Sequence, residues 1–225
     1  MTNVVSVTRV LPSMTLSFLP DYATLFTYTL ACLALFVVPG PDMSFCITKT
    51  LSGGVRMGFV ATCGVLSGLG AHTVLAVIGI SALVAASPAA FNILKMAGVL
   101  YLIFLAIQAV RFGSSFVITE TRETGLKGWS VFIQGFLIDF LNPKPIFFFV
   151  SFLPQFIEPE DPFAWARLLF LGLYLIALFF PLTLSLVFCA GKLSKQLKER
   201  PRIMRALDYV FAGLFGTFAA KLLVF

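Results

Sequence analysis

Three charged side chains lie in or beside long apolar stretches of this sequence, where charge is costly and usually serves a function. Asp42 follows the segment Pro39-Gly40-Pro41, and Asp139 and Lys144 flank Asn142-Pro143. A carboxylate in such a place could pair with the ammonium group of a small molecule or bind a proton. A lysine could pair with a carboxylate. These three residues are therefore candidates for binding a substrate or a proton.

Each of these charges also has a structural interpretation. Asp42 could cap the helix that follows it. Asp139 and Lys144 are five positions apart, a spacing that places them on different faces of an unbroken helix. A break at Pro143 could bring them together as an ion pair that neutralises both, and we favour that structural pair. The same pair could also switch when a substrate or proton binds.

Three polar residues are further candidates for this site. Asn142 offers a donor and an acceptor beside the second proline segment, although it could equally serve only to break the helix. His72 is the single histidine, and a hydrogen bond between packed helices is a simpler interpretation than a proton relay. Gln134 is a weaker candidate.

No cofactor, metal or catalytic site is expected. The four cysteines, Cys32, Cys46, Cys63 and Cys189, form no C-x-x-C pair, and they are typical of small buried apolar residues. The motifs H-E-x-x-H and G-x-S-x-G are also absent. The sequence therefore does not indicate an enzyme.

The composition predicts a protein embedded in a lipid bilayer. Of the 225 residues, 59% are hydrophobic and 12% are charged, and the mean hydropathy is +0.99. Soluble domains are nearer to half apolar and a quarter charged. A membrane-spanning helix needs about 20 mostly apolar residues, so about six spans with short loops use nearly the whole chain. We expect an all-α transmembrane domain over 21–225. Residues 1–20 form an N-terminal extension, and Met14 could be the true start.

The spans are predicted at about 22–38, 58–86, 91–110, 129–156, 166–190 and 206–223. Eleven basic residues lie in the loops after the first, third and fifth spans: Lys49, Arg56, Arg111, Arg122, Lys127, Lys192, Lys195, Lys198, Arg200, Arg202 and Arg205. Basic loops face the cytoplasm, so both termini are predicted to be periplasmic. Because the net charge of +6 comes from these loops, no nucleic-acid partner is expected.

Four glycines of the second span and its approach follow a small-xxx-small spacing, as Gly54 with Gly58 and Gly64 with Gly68. Such faces let helix backbones approach closely in lipid. They could pack within one chain or between two copies, so a homo-oligomer is left open.

The two proline segments indicate an internal repeat. Phe36-Val-Val-Pro39-Gly-Pro41 resembles Phe140-Leu-Asn-Pro143-Lys-Pro145 at an offset of 104, and the third and sixth spans align at an offset of 110. Three spans per half is an odd number, so the halves, about 22–111 and 129–225, must insert with opposite orientations. This predicts an inverted 3+3 repeat with proline-broken helices 1 and 4 and a site near the breaks. The alternative is that the prolines recur by chance and only kink helices.

Several motifs in a fixed order carry a resemblance to a known family. They are Pro39–Asp42, Gly53–Gly70, Lys95–Leu102, Gln134–Phe136, Leu141–Pro145 and Phe152–Phe156. With this set, which covers nearly the whole chain, the sequence resembles the amino-acid exporters of the LysE/RhtB type, the lysine exporters and homoserine/threonine efflux translocators.

The resemblance implies a secondary transporter of the bacterial inner membrane that exports amino acids or close derivatives from the cytoplasm. It further implies proton antiport and alternating access. The family more often has an uncharged residue at the position of Asp139, which leaves the substrate and the coupling site open. A cation or metal-ion exporter or channel of related fold is the alternative, although no carboxylate ring or Cys/His cluster suited to a metal is found.

Overall fold

The computed structural model describes residues 19–38, 40–112, 127–158 and 161–190, and seven positions between 206 and 220. Within these residues every regular element is helical. The elements are α1 (Tyr22–Val37), α2 (Pro41–Ala86), α3 (Pro88–Phe112), α4 (Gly128–Phe140), α5 (Pro143–Phe147) and α6 (Ala164–Phe188). After α5 the chain continues as a π-helical turn, Phe148–Phe152, and a 3₁₀ turn, Leu153–Phe156.

The lengths and compositions of these helices suit a membrane. By these two criteria, α2 and α6 can each cross a bilayer, and α4 together with Pro143–Phe156 makes a third span that is bent by 45°. Shorter apolar helices cover Tyr22–Val37 and Pro88–Leu100. The prediction of an all-helical chain with apolar spans is therefore confirmed for the described residues. Most of the N-terminal extension, most of the sixth span and the basic loops at 113–126 and 191–205 lie outside them.

Helix α2 consists of two arms, 41–53 and 55–86, that turn back on each other at Gly54. Gly54 has φ 76° and ψ 177°, a backbone conformation that favours glycine. The Thr62 hydroxyl donates to Cys46 Sγ at 3.9 Å, and a Cβ on Gly58 would overlap Thr50. These contacts join residues equally far on either side of Gly54, so the arms are antiparallel.

This turn corrects one prediction and bears on another. The loop expected after the first span is wrong for 41–53, which are helical, and Lys49 within them is only 5% exposed, with its ammonium group over the Phe45 ring. Among the described residues of one chain, Gly54 has no packing partner, since a Cβ there would meet no atom within 4 Å. Its role is to form the turn, because its φ is positive.

The long arm of α2 packs directly against α4 through glycines. A Cβ on Gly64 would overlap the carbonyl oxygen of Phe132, and a Cβ on Gly135 would lie 2.8 Å from the carbonyl oxygen of Ala61. The two backbones are therefore in contact, as small residues permit in membrane helices. This places the packing face of Gly64 within one chain.

Tyr28 anchors α1 in the core. It is fully buried, its hydroxyl donates to the Leu171 carbonyl of α6 at 3.0 Å, and its ring stacks on Phe152. A buried tyrosine needs such a partner for its hydroxyl. This hydrogen bond holds α1 against α6 at a position that precedes the C-terminal end of α1 along the chain.

Candidate functional site

Both proline segments break a helix and start the next one. Helix α1 ends at Val37 and α2 begins at Pro41, while α4 ends at Phe140 and α5 begins at Pro143. Proline is favoured at a first helical position because it lacks the amide hydrogen that would have no partner there. Pro39 lies outside the described residues.

The starts of α2 and α5 match each other at an offset of 102 residues. This differs by two from the offset of 104 at which the two proline segments align in the sequence. Pro41 then corresponds to Pro143, and the caps Gly40 and Asn142 correspond as well. With this offset, Asp42 corresponds to Lys144. Equivalent positions of the two breaks thus carry opposite charges.

Asn142 connects the two breaks. Its side-chain amide donates to Asp42 Oδ1 at 3.4 Å, and its Oδ1 accepts from the Lys144 backbone amide at 3.0 Å. The residue is 3% exposed. Asn142 therefore caps α5 and also places the second break against the first.

The charges of Lys144 and Asp42 are matched by helix ends. The Lys144 ammonium donates to the Val38 carbonyl at the end of α1, where carbonyls without helical partners carry partial negative charge. Asp42 lies in the first turn of α2, where the partial charge is positive. The expected capping role of Asp42 is not observed, since the cap of α2 is Gly40 and no side-chain hydrogen bond caps this helix.

The charge of Asp139 is not matched by a helix end or by a hydrogen-bond donor to its Oδ2 in the described residues. The residue is 1% exposed, and its Oδ2 has no hydrogen-bond partner in the described part of the chain. It lies in the last turn of α4, where the partial charge of the helix end is negative. The ion pair that we favoured from the sequence is not formed, since no salt bridge among the described residues joins Asp139 to Lys144.

Gly68 of α2 makes room for this carboxylate. A Cβ on Gly68 would lie 2.5 Å from Asp139 Oδ2 and 2.8 Å from its Cβ. The side chain of Asp139 is thus held against the α2 backbone, and the predicted packing role of Gly68 is specifically to accommodate it.

Asp42, Asp139 and Lys144 line one cavity of about 30 Å³. The remaining lining is mostly apolar and comes from α1, α2, α5 and α6: Leu35, Phe36, Met43, Cys46, Val65, Leu66, Leu69, Pro145, Phe179, Thr183 and Leu186. A space of this size holds one or two water molecules. It is too small for an amino acid, so a larger ligand needs the surrounding helices to move apart.

The sequence missed Cys46 and Thr183 as lining residues of this cavity. Cys46 resembled a packing residue, and Thr183 is a single hydroxyl in an apolar span. The position of Thr183 close behind Pro181, the only proline inside α6, was the available signal.

The other predicted site residues lie elsewhere. His72 stacks against Phe140 and Phe149 at 5.2 and 5.6 Å, and it lines a separate apolar groove of about 450 Å³. Gln134 is exposed and donates to Ser130 on its own helix at 3.1 Å. Neither residue lines the charged cavity. In the described residues no group of three His, Cys, Asp or Glu side chains could hold a metal ion.

Comparisons with known proteins identify relatives along nearly the whole chain. The family model described as "LysE type translocator" matches residues 33–224. A "Homoserine/homoserine lactone efflux protein" of Salmonella typhimurium is 32% identical over 88% of this chain and 94% of its own. A "Leucine efflux protein" of Salmonella choleraesuis is 26% identical over 88% of this chain and 93% of its own. No solved structure shows a significant match.

Proposed function

The chain belongs to the LysE type translocator family and is therefore a membrane transporter, not an enzyme, and we propose that it exports amino acids from the cytoplasm. The observation that carries this proposal is the cavity at which the two broken helices meet. It presents two carboxylates and one ammonium group, Asp42, Asp139 and Lys144, to a ligand. An amino acid carries both complementary charges.

Broken helices suit this task because their free ends can bind charged ligands and their halves can move separately. The cavity is too small for an amino acid, so transport requires it to widen and to open toward each side of the membrane in turn. The matching helix starts at Pro41 and Pro143 support an inverted 3+3 repeat, and this architecture permits such alternating access. We place the protein in the bacterial inner membrane with both termini periplasmic, and export is driven by proton antiport.

The walls of the cavity favour a substrate with an uncharged side chain. Leu66, Leu69 and Phe179 are apolar, and Thr183 offers one hydroxyl group. The names of the relatives include leucine and homoserine, whose side chains would suit such walls. We propose an amino acid of this class as the substrate.

Export from intact cells tests the function. A bacterial host that lacks its own amino-acid exporters is loaded with dipeptides, and all external amino acids are followed over time. Cells with the native protein should release one or a few amino acids with uncharged side chains faster than cells with the empty vector. Equal release of every amino acid from both would refute the export function.

Asp42→Asn, compared at matched membrane expression, tests the site. Removing this charge should slow export by about tenfold or more, since a hydrogen bond to a charged group contributes about 1.5–3 kcal/mol. Export at the native rate by this variant would leave the function intact and remove Asp42 from the site.

A further inference from the structure

Of the three charges in the cavity, only one lacks a partner in the described part of the chain. Lys144 donates to the end of α1, and Asp42 lies at the start of α2 and accepts from Asn142. Asp139 is buried, its Oδ2 is unpartnered among the described residues, and the nearby end of α4 is partially negative. A buried carboxylate without a partner is costly as an anion, so Asp139 requires a cation.

We propose that Asp139 is the exchange residue, at which the ammonium group of the outgoing amino acid and the incoming proton replace each other. The inference rests on the proposed export function and deepens it. Both cations satisfy the same need of the same carboxylate, and they cannot do so together. Mutually exclusive occupancy couples two opposite fluxes when the empty site does not change sides, and an uncompensated buried carboxylate opposes that movement because its charge is costly in the membrane.

The binding step balances in protons and charge. The carboxyl group of Asp139 loses its proton to water, and the resulting carboxylate pairs with the substrate ammonium. One proton is thus released for each amino acid bound. After the amino acid leaves on the other side, a proton from that side returns to the carboxylate.

Among the titratable groups around the cavity, Asp139 is the one whose protonation changes. The titratable side chains that line the cavity with it are Asp42 and Cys46 from α2 and Lys144 from α5, while His72 of α2 lies beside the backbone of Asp139. Helices α1 and α6 contribute apolar residues and Thr183 to the cavity, and none of these titrates. Asp42 and Lys144 are already matched by helix ends, and His72 opens to a different groove.

Proton release on binding provides the test. Purified protein in weakly buffered detergent solution is mixed with L-leucine or L-homoserine at a series of pH values, with a pH indicator present. The native protein should release about one proton per bound amino acid at acidic pH. Its apparent Kd should rise about tenfold for each unit of pH decrease, because binding requires loss of that proton.

Variants test whether the released proton comes from Asp139. Asp139→Asn should release no proton, and its weakened binding should no longer depend on pH, whereas Asp139→Glu should restore release. Asp161→Asn is the matched control, since Asp161 pairs with Arg167 at 3.3 Å outside the cavity, and it should behave as the native protein.

Two outcomes would overturn the assignment. One is native-like proton release by Asp139→Asn. The other, which needs no variant, is amino-acid binding by the native protein without proton release at any pH. Failure of the native protein to bind or export any amino acid would instead refute the proposed function, so the two failures are distinguishable.

Discussion

Lys144→Met should lower the stability of the protein by about 2–4 kcal/mol, the range for removing a charged partner from a buried polar site. The substitution deprives the Val38 carbonyl of its donor and leaves Asp42 and Asp139 in one cavity without a cation. The thermal midpoint of the purified protein in detergent should fall by about 5 °C or more.

A second substitution separates charge from packing. Lys144→Met combined with Asp139→Asn removes the excess negative charge, so the double variant should recover about 1 kcal/mol or more relative to Lys144→Met. Lys127→Met, at an exposed lysine before α4, is the control and should leave the midpoint nearly unchanged. If Lys144→Met matched this control, the charge balance described for the cavity would be wrong.

Gly64→Val should separate α2 from α4. Its side chain would overlap the Phe132 carbonyl and crowd the Phe136 amide nitrogen, 3.1 Å from the new Cβ. Backbone atoms cannot yield as a flexible side chain can, so we expect a cost of about 3 kcal/mol or more, at or above the upper end for overpacking. The measurement is the thermal midpoint together with the yield of monodisperse protein.

Gly79→Val controls for the intrinsic effect of a β-branched residue in a helix. Gly79 lies on the same arm of α2, is exposed, and has no atom within 4 Å of the position that a Cβ would take. It should change the stability by less than about 1 kcal/mol, and toward greater stability, because valine is a better helix former than glycine. Equal losses for both variants would show that α2 and α4 do not depend on close contact at Gly64.

Apolar runs and prolines predicted much of this fold. They give the end of α1, the bend between α4 and α5, most of the long arm of α2, and α6, because hydrophobicity and missing amide hydrogens act locally. The turn at Gly54 was not predictable in the same way. Its glycine spacing is equally typical of a packing face, and only the path of the chain distinguishes a turn from a face.

The site was predicted in part. Charge in apolar sequence identified Asp42, Asp139 and Lys144, and the structure brings all three to one cavity. Sequence spacing favoured a pair between Asp139 and Lys144, but the ammonium group of Lys144 reaches the end of α1 instead. That partner is a backbone carbonyl of a distant segment. Every residue has such a carbonyl, so the sequence does not indicate which one Lys144 contacts.

The most direct test of the account is transport by the purified protein in liposomes. The vesicles have an acidic interior, and accumulation of external L-leucine or L-homoserine is measured with and without a protonophore. Proton antiport through the cavity predicts accumulation above the external concentration, its loss when the protonophore is added, and no accumulation with Asp139→Asn. Equal amino-acid flux with and without the pH gradient would contradict the account.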